Sequence, residues 1–384
     1  MSRKTIYFVL GEDSGDALGA DLYHELMEQA AAKGQEIDVI GLAGPKLIKE
    51  GMTSLFDIEQ IAVMGVSAVV GRLPTIVRRI YQTVSDIVAR KPDMIVLIDS
   101  PDFTHAVAKR VRKQMPNVPI INYVCPSVWA WRSGRAKTMR AYVDHVLALL
   151  PFEPQALKDL DGPSATYVGH PLAWRMHDEI ENRPVADSAV SEDEVPVLLI
   201  LPGSRTSEVK RMLKPFEKTL EIMKERGIQF KPVLPAVPHL KSFIQGEVAS
   251  WAVRPEVVDS ADNDKVFATA RAALAASGTV ALQLALHRVP MVAAYKLDPM
   301  TAPFHWLITI WSSNLPNLIT DRVLVPEEFN KLVRPGRLAR YMEELMSDTV
   351  ARQRQLEGFD IVAERMQTDA SPGSVAAACV LERL

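Results

Sequence analysis

Cysteine is almost missing from this chain, with Cys125 and Cys379 the two examples in 384 residues. Two thiols so far apart form neither a disulfide framework nor a CxxC metal knuckle, and their scarcity fits a reducing compartment. Long hydrophobic runs are also lacking, since none approaches the roughly 18 to 20 apolar residues that a bilayer span requires. The opening MSRKTIYFVLGEDSGD moves from two positive charges into a short strand-like run with no small-residue cleavage site, so a secretory signal is not expected. Nor does charge of one sign dominate. Lys and Arg total 44 against 47 Asp and Glu, a net of −3, which gives nucleic-acid binding no support. The eight histidines show no HExxH or similar ligand spacing. Gly11, Gly15 and Gly19 in GEDSGDALGA stand four apart, whereas the dinucleotide fingerprint needs its second glycine two positions after the first.

What is present is a globular composition, 48% apolar and 24% charged, in a chain long enough for two domains. Short apolar strands (TIYFVL, IDVIGLAG, MIVLID, PIINYV, HVLALL) alternate with amphipathic helices, the pattern of a parallel sheet covered on both faces. Around 175 to 195 the chain turns polar and acidic without apolar periodicity, which predicts a linker. The alternation then restarts with PVLLILPG, FKPVLPAV, AALAAS and VPMVAAYK. The expected fold is α/β: two doubly wound, Rossmann-like domains, 1–174 and 175–354, facing each other across a cleft at their strand C-termini. Helices in 355–384 are expected to join the first domain and to pack along both. A cytoplasmic protein is expected.

Two loops in the second half place small residues and free N–H groups at helix starts, where dipole and donors favour an anion. The first is LPGSRTSE, in which Gly203 and Ser204 expose backbone and Arg205 offers a forked cation matched to a diphosphate. The second is SGTVALQ, with Ser277, Gly278 and Thr279 at the turn and Gln283 one helical turn later, placed to reach nucleotide sugar hydroxyls. In the first half, Asp99 ends an apolar strand and is the candidate general base, with Asp102 expected to cap the helix that follows. Gly11, Ser14 and Gly15 either let a ligand approach the backbone or form a tight turn capped by Asp13 or Ser14. The one DxD, Asp262 and Asp264, reads more simply as a helix N-cap at Asp264 than as a metal pair, and His170 as structural. No metal and no cofactor are expected. Segments 61–84 and 302–311 combine apolar and basic or Trp residues, which suits either a membrane surface or a buried helix.

GEDSGD, GLAGPKL, AVMGV, DSPDF, YVCPSVWAWR, LLPFE, YVGHPL, LPGSR, SGTVAL and SNLPNLI occur in the order and spacing of the lipid A disaccharide synthase family, which the chain resembles from about residue 5 to 335. The resemblance implies an inverting glycosyltransferase of GT-B fold. Its substrates would be UDP-2,3-diacylglucosamine and 2,3-diacylglucosamine 1-phosphate, its products UDP and a β-1,6 disaccharide in lipid A biosynthesis. It implies Asp99 as base, Arg205 as the cation on the departing diphosphate, Asn317 as a donor-site residue and Met64 on the acceptor side. It also implies peripheral attachment to the inner membrane from the cytoplasmic side, and leaves a homodimer open. Asp13, Ala68, Thr104 and Gln283 depart from the family pattern, which usually has Ala, Glu, Asn and Glu there. At Gln283 an amide with one acceptor oxygen replaces a carboxylate. Two other readings fit these residues, another UDP-sugar enzyme such as a 2-epimerase and a catalytically weak binding derivative.

Overall fold

A computed structural model describes residues 3–61, 66–181, 195–276, 278–297 and 310–384. Met64, Ser277 and most of the 302–311 segment lie outside the described residues, as does the greater part of the 175–195 linker.

The first sheet holds β1 (Lys4–Leu10), β2 (Ile37–Gly41), β3 (Met94–Ile98), β4 (Ile120–Tyr123), β5 (His145–Ala148) and β6 (Ser164–Tyr167), all parallel, in the order β2, β1, β3, β4, β5, β6. β3 is buried at all five positions, as expected of a central strand covered by helices on both faces. Strand succession runs outward from β1 to β2, then restarts beside β1 at β3 and runs the other way. The β1 and β3 C-termini therefore flank a topological switch point, where open α/β sheets hold their ligands.

The second sheet repeats the plan with β7 (Val197–Leu201), β8 (Lys231–Ala236), β9 (Glu256–Asp259), β10 (Ala270–Ala275), β11 (Met291–Tyr295) and β12 (Glu327–Phe329), in the order β12, β11, β10, β7, β8, β9. Its switch point falls between β7 and β10, whose last residues Leu201 and Ala275 pair in register. The loops following these two strands are GSR and SGT.

The chain divides into two compact units, Met1–Trp174 with Thr368–Leu384, and Arg175–Gln367. The tail thus changes allegiance later than residue 355. Helix Val350–Met366 stays with the second unit because its polar side chains are tied to that sheet. Gln355 exchanges two hydrogen bonds with the Met291 backbone (2.8 and 3.1 Å), and Arg352 donates to the carbonyls of Arg271 and Leu345. Helix Pro372–Leu381 belongs to the first unit, where Gln29 donates to Ser374 and Ser371 to Glu25. No described helix is long and apolar enough to cross a membrane.

Candidate active site

At the first switch point, β1 turns into helix Asp13–Ala32 and β3 into helix Pro101–Gln114. Asp99 and Ser100 both take positive φ, +56° and +45°, a conformation costly for residues with a Cβ. Thr104 sustains it. Its buried hydroxyl sits within hydrogen-bond range of the carbonyls of Asp99 (2.9 Å) and Ser100 (3.1 Å). This bend turns the Asp99 carboxylate off the strand. One oxygen accepts from Ser14 Oγ at 2.7 Å and the other from the Ser100 N–H at 2.8 Å, so each keeps a lone pair for a substrate hydroxyl.

The glycines of GEDSGDALGA serve this packing. A Cβ on Gly11 would lie 3.1 Å from Ser100, and one on Gly15 would lie 3.0 Å from the Ile98 carbonyl. Only with hydrogens there can the helix sit close enough to β3 for Ser14 to meet Asp99. The expected caps differ too. Glu12 occupies the N-cap of the first helix and Ser100 that of the second, neither through a side-chain bond, while exposed Asp102 pairs with Arg135 at 3.4 Å. Asp16, unremarked in the sequence, is 2% exposed and accepts from the N–H groups of Gly44, Lys46 and Leu47, capping the short helix Pro45–Lys49 from outside. The Glu12 carboxyl is raised above its ordinary range, first by burial and then by the negative charge of Asp99.

At the second switch point Gly203 has φ +115°, and a Cβ on it would lie 2.8 Å from a Glu208 oxygen. Glycine is required twice over. Arg205 follows with its side chain 73% exposed, so its guanidinium is available to an anion, and it is held on one side by Glu208 at 3.1 Å. Glu208, in the first turn of helix Thr206–Glu225, is 13% exposed and also lies 3.5 Å from the Tyr295 hydroxyl. Gly278 and Thr279 are exposed at the start of helix Thr279–Leu286.

Gln283 does not stand alone. Its amide donates to Asp264 at 3.0 Å, with His287 3.3 Å from the same oxygen and Arg175 3.9 Å from the other. Burial opposes ionisation of Asp264, but the bonds from Gln283 and His287 and the charge of Arg175 hold its carboxyl below the ordinary range. Asp264 is therefore not the N-cap that the sequence suggested. The helix begins one residue earlier, at Asn263, and the Asp264 side chain is spent on its three neighbours. Among the described residues no three His, Cys, Asp or Glu side chains gather as metal ligands would.

Asn317 is held as part of the scaffold of its segment. It is 1% exposed, its NH2 donates to Ser312 Oγ and the Val325 carbonyl, and its oxygen accepts from Leu324 and Val325 N–H. Every polar atom of the amide is satisfied internally. His170 is structural as expected: the Leu172 N–H donates to its Nδ1 at 3.1 Å, and burial pulls it down to about 4.

The sequence profile described as lipid-A-disaccharide synthetase matches residues 6–377. A lipid-A-disaccharide synthase of Nitrobacter winogradskyi is 45% identical over 390 residues, covering 100% of this chain and 96% of that protein. One from Bradyrhizobium diazoefficiens is 40% identical, covering 99% and 96%. Among solved structures, a kitacinnamycin glycotransferase superposes over the full length of both chains with a TM-score of 0.60 at 16% identity. A putative UDP-N-acetylglucosamine 2-epimerase from Listeria monocytogenes superposes with a TM-score of 0.59 at 11% identity, covering 99% and 95%.

Proposed function

Since the chain belongs to the lipid-A-disaccharide synthetase family, we propose that its two switch points divide the labour of an inverting UDP-sugar transfer, acceptor activation at the first and donor binding at the second. The protein is a glycosyltransferase of GT-B fold acting in lipid A disaccharide synthesis. The observation that carries the division is topological. In each sheet the residues with chemistry to offer stand at the one place where strand order reverses.

In this reading the donor is UDP-diacylglucosamine and the acceptor an acylated glucosamine 1-phosphate. The diphosphate lies on the GSR turn at the positive end of helix Thr206–Glu225, with Arg205 as its forked cation. The ribose hydroxyls meet Gln283, whose NH2 is committed to Asp264 and whose oxygen remains an acceptor. Asp99 removes the proton of the acceptor 6-hydroxyl as that oxygen attacks the anomeric carbon in line. The bond from that carbon to the UDP oxygen breaks, configuration inverts, and the diphosphate leaves with its charge met by Arg205 and the helix dipole. Charge on the leaving group is thereby handled by the chain's own groups, without metal or organic cofactor.

Attachment to the inner-membrane surface is part of the same proposal. Leu73, Val77 and Tyr81 are exposed at 46%, 43% and 56%, four residues apart on helix Val66–Arg90, with exposed Arg78 between them. Such a stripe suits the boundary between headgroups and acyl chains.

The test is turnover with both acylated substrates. We expect Asp99→Asn to lower kcat at least about 100-fold, the lower end of general-base contributions, while leaving UDP affinity unchanged. Full turnover in that variant would remove Asp99 from the reaction.

A further inference from the structure

The first unit holds a pocket of about 220 Å³ beside the Asp99 turn, between one face of helix Pro101–Gln114 and the segment that follows β4. Asp102, His105, Lys109, Arg110, Arg135 and Tyr142 contribute its polar lining. Three permanent cations against one carboxylate leave it positive, and the partners of each group decide how much of that charge is free.

His105 adds none. Its Nε2 meets Asn122 Oδ1 at 3.0 Å and its Nδ1 meets the Tyr142 hydroxyl at 3.2 Å, and burial of this chain pulls the ring down to about 4, so it is neutral near pH 7. Arg110 is turned to its own helix, donating to the Ala106 carbonyl at 2.8 Å and lying over the Tyr81 ring. Among the described residues the one carboxylate Arg135 reaches is Asp102, at 3.4 Å, with the Trp131 ring 5.9 Å away on another side; that carboxylate is 93% exposed, so water has already weakened the pair. Lys109 has no carboxylate within ion-pair distance among the described residues, and its ammonium stands 5.0 Å above the Tyr142 ring. Two cations on facing walls are thus left with little to neutralise them, over an apolar lining of Pro126 and Val128. A compact, doubly charged oxyanion matches this arrangement better than a single carboxylate does.

We propose that this pocket receives the phosphomonoester of the acceptor sugar, held by Lys109 and Arg135. The assignment rests on the reading of Asp99 as the base for a phosphorylated acceptor. Asp102, at the pocket wall, is three residues from Asp99, so a phosphate seated there keeps the rest of the sugar near the carboxylate that must take its proton. Lys109 and Arg135 act in binding and orientation and touch no reacting atom.

The experiment compares the acylated glucosamine 1-phosphate with the same sugar after phosphatase treatment, in the full-length protein and in a Lys109→Ala/Arg135→Ala variant. Loss of two charge-assisted bonds should shrink the kcat/KM preference for the phosphorylated acceptor about 30-fold or more. Arg135→Lys in the Lys109 background should recover part of it. An unchanged preference overturns the proposal, because a merely structural loss lowers both acceptors alike. Inorganic phosphate supplies the second arm. It should inhibit competitively against the acceptor and bind the variant at least tenfold more weakly. Equal phosphate binding by both proteins also overturns the pocket. If the unaltered protein makes no disaccharide from either acceptor, the proposed function fails instead, and the phosphate arm alone decides the pocket.

Discussion

Gln283 carries the largest single-residue consequence. A carboxylate at that position would stand about 3 Å from Asp264, where two like charges disfavour one another. The amide removes the conflict by donating. We therefore expect Gln283→Glu alone to lose about 1 kcal/mol of stability, and Gln283→Glu with Asp264→Asn to recover most of it, a coupling of the size that contacting polar pairs show. Urea midpoints of the two singles and the double measure it, and strict additivity would mean that the pair does not interact. From sequence only half of this was legible. Gln283 could be placed one turn after SGT by helical spacing, but its partner Asp264 lies nineteen residues back and was read as a cap. The internal bonds of Asn317 were hidden for a related reason: it lies on helix Leu315–Thr320, and its partners Leu324 and Val325 come seven and eight residues later.

Among the elements, short edge strands were the ones the sequence hid. β6, β9 and β12 each lie at a sheet edge, span three or four residues and carry Ser, Thr or acidic side chains. With one neighbour and one covered face they need no apolar run. The buried central strands were legible because two covered faces demand continuous hydrophobics.

Helix Glu153–Asp159 shows the opposite case, a charged residue drawn into the core. Glu153 is 3% exposed and accepts from Trp129 Nε1 and the N–H groups of Leu149 and Leu150, yet burial outweighs these donors and pushes its carboxyl up to about 7. A raised folded-state value contributes stability that is complete below about 4.5 and is lost as pH rises through about 7. His105, His145 and His170, lowered by burial from 6.5 to about 4, act in the other sense, their contribution being lost as pH falls through that range. Comparison with Glu153→Gln isolates the carboxyl. The wild type's advantage over that variant should fall by up to about 3 kcal/mol between pH 4.5 and 7. A pH-independent difference would show that the three N–H donors keep Glu153 ionised throughout.

At the scale of the whole molecule, each unit has its own sheet and core, and the chain returns from the second to the first only at Thr368. Periodicity revealed the tail helices but not their allegiance, since a helix of either unit shows the same amphipathic pattern. The exposed stripe of Leu73, Val77 and Tyr81 is a property of the folded surface. If it lies on lipid, sedimentation with anionic vesicles should carry the protein down at low salt and release part of it at high salt. Leu73→Glu with Tyr81→Glu should weaken partitioning about tenfold or more, given the apolar area removed. Sedimentation unaffected by these changes would assign attachment to another surface.

The amino-acid order by itself determined the class of fold, the restart after residue 195 and the glycine turns at 203 and 278 before their helices, because periodicity, glycine turns and helix starts are local properties. Tertiary structure alone decided which loops share a switch point, that Gly11 and Gly15 serve packing, that Asp264 orients Gln283, and that Lys109 and Arg135 meet across a pocket. Those outcomes depend on contacts between residues distant along the chain, and on which charges find a partner there, and no local pattern encodes either.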